Sequence, residues 1–154
     1  EDFFRRAVEI DGAFAEARMR LGHVLGLLGR HEDAASQLQR VVSGPGAPIL
    51  LYGASMFLGN EERALGHRDK ARESFERAAV LYPRAQSPYL ALSQLARESG
   101  DRPAALRALQ QVLTIPAGQS ARDDPWWSYY EGQGRDAEPL FSAVRGLLLA
   151  EEPR

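Results

Sequence analysis

The chain has 154 residues, long enough for one domain with a real core, and its 44% hydrophobic and 26% charged shares are those of an ordinary globular protein. A net charge of −2 and a pI near 6.0 argue against a generic nucleic-acid binder, which would carry a basic surplus. The absence of Cys excludes disulfides, thiol chemistry and Cys-based metal sites, and leaves the compartment open.

Eighteen of the nineteen basic residues are Arg, with Lys70 the exception. They are scattered among Asp and Glu, which reads as the coding preference of a GC-rich genome rather than a phosphate-binding design. No apolar run approaches the roughly 18 residues that a membrane span requires, so no membrane insertion is expected. The opening E-D-F-F-R-R-A-V-E-I reads as the middle of something, and we expect a fragment of a longer bacterial protein.

In chain order, a first helix is predicted over about 1–10, followed by helix pairs over about 14–42, 49–82 and 86–115 and a divergent pair over about 124–150. The pairs share a register. A large apolar residue is followed three places later by Ala or Val at Phe4/Ala7, Leu38/Val41, Phe75/Ala78, Leu109/Val112 and Phe141/Val144, with steps of 34, 37, 34 and 32 between the large residues. Four places before each large residue, from the second copy on, stands Ala34, Ala71, Ala105 or Ala137. Five places before each of these stands Gly29, Gly66, Gly100 or Gly132.

The columns have a physical meaning. Leu21, Leu25 and Leu28 share one face at helical spacing. The Gly column ends the first helix of each pair, where a left-handed residue is needed. Acidic residues in G-R-H-E-D-A, G-H-R-D-K-A and G-D-R-P-A-A then suit the positive start of the second helix. Gly22, Gly59 and Ser93 are expected to face Ala34, Ala71 and Ala105, small against small, so that the paired helices cross closely. In the first helix, Phe4 and Ala7 form an inner face expected to meet a partner upstream.

The chain resembles tetratricopeptide repeats. Leu21-Gly22, Leu58-Gly59, Ala71, Phe75, Ala78 and Pro83 match the family pattern in place; Leu92-Ser93 replaces Leu-Gly, Pro116 comes one place early, and the S-G-P-G-A-P loop at 43–48 is an insertion. The resemblance implies an all-α fold, a right-handed α-solenoid of antiparallel helix pairs whose first helices line a concave groove. It implies one domain over 1–154, divided into an orphan second helix at 1–13, repeats at 14–48, 49–85 and 86–117, and a capping repeat at 118–154.

Mapping the family's groove-facing columns gives Glu16, Met19, His23 and Leu27, then Met56, Asn60 and Arg63, then Leu90, Gln94, Arg97 and Glu98. His23, Asn60 and Gln94 share one column, and an amide there serves both the N–H and the C=O of an extended peptide. Arg63 and Arg97 stack as the next column and suit carboxylates. Met19, Leu27, Met56 and Leu90 would instead suit an amphipathic helix. Some relatives clamp a C-terminal carboxylate with Lys and Asn; Met19 and His23 stand at those places, so that specificity does not carry over. The implied function is protein–protein interaction with a peptide or helix partner, with no catalysis and no cofactor. The alternative is a structural, spacer or oligomerisation segment, with homo-oligomers formed through the exposed terminal helix.

No nucleophile–base–acid set is apparent. His31 and His67 fall in inter-helix turns, where solvation is the plain expectation, and H-E-D at 31–33 reads as a helix start rather than a metal site. D-D-P-W-W-S-Y-Y, within 123–130, holds both tryptophans. Asp124 before Pro125 is a helix start, and the cluster reads as the first helix of a fifth, shortened repeat. Counting back from Gly132 turns Trp127 inward and sets Trp126, Tyr129 and Tyr130 toward the groove; counting forward from the previous repeat buries Trp126 and Tyr130 instead. The first register is expected.

Overall fold

The computed structural model describes residues 1–10, 14–115, 124–127 and 129. Among these, seven helices follow one another: α1 (Asp2–Ile10), α2 (Ala15–Leu27), α3 (His31–Val42), α4 (Pro48–Ala64), α5 (Arg68–Leu81), α6 (Ser87–Glu98) and α7 (Arg102–Thr114). Successive helices pack on each other along the chain, and α2 also meets α4, which closes the pairs α2/α3, α4/α5 and α6/α7 into a stack. The architecture is an all-α solenoid of antiparallel pairs. No helix among the described residues is long and apolar enough to cross a membrane.

Each pair turns at the Gly column. Gly29, Gly66 and Gly100 all hold φ between 74° and 79°, a left-handed conformation that L side chains adopt only at a cost. The backbone N–H of the next residue then reaches back into the helix just ended, as Arg30 does to the Leu25 carbonyl at 3.0 Å and His67 to the Glu62 carbonyl at 2.8 Å. Of the second helices, α7 alone carries a side-chain cap, from Asp101 to the Ala104 N–H at 2.9 Å.

The Ala and large-residue columns form the core. Ala34, Leu38, Ala71, Phe75 and Ala78 are fully buried. The expectation of small against small is refined here. A Cβ on Gly22 would come within 2.6 Å of Leu38 Cγ, and one on Gly59 would run into the Phe75 ring. The glycines therefore make room for the large residue one turn beyond the alanine.

α1 docks on the pair that follows it. Phe4 and Val8 pack against the cluster of Leu21, Leu25 and Ala34, so its apolar face is turned toward the following pair. Phe3 and Ile10 remain exposed.

Candidate functional site

The first helices α2, α4 and α6 line one face of the stack. Of the residues expected there, Met19 and Met56 are buried: Met19 joins a cluster with Leu38 and Phe57, and Met56 one with Tyr52 and Phe75. They form the floor of the face. Both follow the helical period of their helices, and that period alone does not separate a groove floor from a core.

The polar residues sit along the open side. Glu16 is exposed and pairs with Arg20 at 2.9 Å. Asn60 is half-buried, Gln94 and Arg97 are exposed, and Leu27 and Leu90 stand open to solvent. Arg63 and Gln94 converge on the same atom: Arg63 Nη1 donates to Glu98 Oε1 at 3.2 Å and Gln94 Nε2 donates to it at 3.1 Å. Arg63 thus already holds a carboxylate from the next repeat, and a ligand carboxylate would compete with Glu98 for it.

The aromatic segment crosses the same face. Asp124 is fully buried, and its carboxylate accepts three hydrogen bonds. The Tyr52 hydroxyl donates to Oδ1 at 2.7 Å, the Ser87 N–H at the start of α6 donates to Oδ2 at 2.8 Å, and the Trp126 N–H donates to Oδ1 at 3.0 Å. The last of these is the helix-start cap expected from Asp-Pro, and Pro125, Trp126, Trp127 and Tyr129 are helical. The other two satisfy a charge that would otherwise be costly to bury. Burial, and then the bond to Asp124, push the Tyr52 phenol far above its ordinary range and keep it a donor.

Two rings complete the seat. Trp126 lies 4.8 Å from Phe57 between ring centroids, and Tyr129 lies 5.5 Å from Phe57 and 6.0 Å from His23. His23 in turn stacks on Phe57 at 4.2 Å, and burial among these rings lowers its pKa below 6.5. Beside them lies a cavity of about 460 Å³ lined by Glu16, Met19, Leu50, Trp126 and Tyr129.

This placement corrects one expectation. Trp127 is 48% exposed, not turned inward, because Trp126 and Tyr129, three residues apart, occupy the buried side of the turn. Most of the expected fifth repeat, at 118–154, lies outside the described residues. Among the described residues the segment meets His23 on α2, Tyr52 and Phe57 on α4 and Ser87 on α6. Besides the Trp126 N–H of the segment itself, the Asp124 carboxylate takes its donors from α4 and the start of α6. Tyr130 and the expected second helix of the cap, with Gly132, Ala137, Leu140, Phe141, Val144, Leu147 and Leu148, lie outside the described residues.

Two of the three histidines are not simply solvated. His31 Nδ1 is 2.7 Å from Glu61 Oε2, and His67 Nδ1 is 2.7 Å from Glu62 Oε2, both carboxylates being almost buried. The Glu61 carboxylate lies against Gly26 of α2, so the His31–Glu61 pair joins α3 to α4 beside that helix. Among the described residues no group of His, Asp and Glu is arranged to hold a metal ion.

Tyr52, Phe57, Ser87 and Asp124 were not among the residues picked out by repeat columns. Only the Asp-Pro helix start gave a local signal, for the cap and not for its distant partners.

The fold and this inner face define a class: an all-α helical-repeat solenoid of antiparallel helix pairs. Among solved structures the chain is similar to MamA. One MamA crystal structure matches with a TM-score of 0.64 and 24% identity, over 71% of this chain and 58% of that one. Another matches with a TM-score of 0.64 and 21% identity, over 85% of this chain and 75% of that one. At such identity the likeness is one of fold, and this chain spans only 58% of the first MamA chain. No family model and no curated protein matches the chain.

Proposed function

We propose that the chain is a protein-interaction module that holds a peptide or short helix of a partner on the face lined by α2, α4 and α6, without chemistry of its own. The observation that supports this reading most is the seat of the 124–129 segment. A short helical piece of chain lies across that face, with its leading carboxylate bound by two donors of the stack and its rings on Phe57. The same kinds of contact, a buried anchor ringed by polar groups, carry most of the energy in protein interfaces.

Around this seat, Asn60, Gln94, Arg63, Arg97 and Glu98 form the polar rim in our reading, with Leu27 and Leu90 as exposed apolar contacts. The test is a pull-down with the full chain and with an Asn60→Ala/Arg63→Ala/Arg97→Ala variant. We expect the variant to lose partners that the unaltered chain recovers, and more so at low salt, where exposed arginines act most strongly. Equal recovery of every partner by both would refute the rim assignment.

A further inference from the structure

The 124–129 segment is held differently from a repeat in a stack. It lies on the inner face and touches three first helices. Its contacts are those of a ligand: one charged anchor and two rings on the same side of a short helix. Asp124 is buried, with Tyr52 and the first N–H of α6 as donors from the receiving side. Trp126 and Tyr129 follow at the second and fifth places after it and meet Phe57 from two directions, with centroids 4.8 Å and 5.5 Å away.

The receiving groups among the described residues belong to the folded stack. Tyr52 and Phe57 sit on α4, His23 on α2 and Ser87 on α6. The neighbouring cavity of about 460 Å³ leaves room along α2 and α4 beyond the rings that now lie there. The exposed ring of Trp127 shows that the seat selects particular positions of the segment rather than burying aromatic surface indiscriminately.

We propose that this inner face is a receptor for protein segments in which a helix-starting Asp-Pro is followed by aromatic residues two and five places after the Asp, and that the chain's own 124–129 segment is a built-in copy that occludes it. This rests on the reading of the inner face as the binding face. A partner must carry the same chemistry and displace the resident copy. A segment tethered by a short linker competes at an effective concentration on the order of millimolar, so the closed chain binds a free ligand much more weakly than an opened one.

The experiment uses the full chain and a fluorescent peptide of residues 122–131. In an Asp124→Ala/Trp126→Ala chain the resident copy loses its anchor and one ring, while the receiving groups stay intact. Fluorescence anisotropy should then show the peptide binding at least tenfold more tightly than to the unaltered chain. A peptide carrying the same two substitutions should not bind. Adding Tyr52→Phe to the opened chain removes one donor and should weaken the peptide again. Equal affinity of the closed and opened chains, or equal binding of the two peptides, would overturn the proposal.

Circular dichroism checks folding, and Trp126→Ala alone provides a gentler opening that leaves the Asp124 hydrogen bonds in place. Loss of helix in both variants would overturn the proposal as well, because the segment would then be part of the core and not a separable ligand. The Asn60, Arg63 and Arg97 pull-down uses none of these residues, so failure of the peptide test leaves that result standing and the two ideas are told apart.

Discussion

Gly59 and Phe75 share one space between α4 and α5. The Phe75 ring is fully buried over the glycine, where any Cβ would have to stand. In an isolated helix, alanine at this position would be the better residue by about 1 kcal/mol. Packing decides the sign here, because the obstruction is a rigid ring enclosed on all sides. Gly59→Ala should therefore destabilise the chain by about 1–3 kcal/mol, measured by urea unfolding. An unchanged or raised midpoint would mean that the ring has room to move. At this scale the sequence was informative: the Gly, Ala and large-residue columns recur at fixed spacing, so each residue's role could be taken from its counterparts. Tyr52 and Asp124 stand 72 residues apart and in no shared column, so nothing local announced their bond.

At the scale of elements, the helices followed from their turns. A left-handed Gly at each first-helix end and apolar residues at helical spacing placed the α2/α3, α4/α5 and α6/α7 pairs to within a few residues. The aromatic segment was legible only as a helix start. Asp124-Pro125 predicted a cap, and the Trp126 N–H does donate to Asp124. What that helix packs on depends on donors outside it, which the repeat count does not supply. The carboxylate is the anchor of the element, which makes its charge testable. Asn at 124 keeps the shape but has one acceptor oxygen, and its amide would point a donor at either the Ser87 N–H or the Tyr52 hydroxyl. Asp124→Asn should cost about 1–3 kcal/mol in thermal or urea unfolding, as a buried donor is left unmatched. No loss would mean that water, and not Asp124, serves those donors.

For the whole molecule, the stack's core is divided among clusters that follow the repeats, and Trp126 borders two of them. One contains Met19, Leu38 and Phe57, the other Tyr52, Met56 and Phe75. A single side chain thus bridges the first two full pairs from the inner face. The solenoid architecture was readable because it repeats, and repetition multiplies a weak signal. The occupation of the inner face happens once, by a segment without a counterpart, and no periodicity could reveal it. Leu106 and Leu113 on α7 are 51% and 83% exposed.

The central claim is that the aromatic segment sits on the inner face rather than on the end of the stack. Only two tryptophans are present, so their indole signals can be assigned by substituting each in turn. In nuclear Overhauser spectra of the full chain, the Trp126 ring protons should show cross-peaks to the Phe57 ring, whose centroid lies 4.8 Å away. Cross-peaks from Trp126 to Leu106, Leu109 or Leu113 of α7, with none to Phe57, would contradict the account.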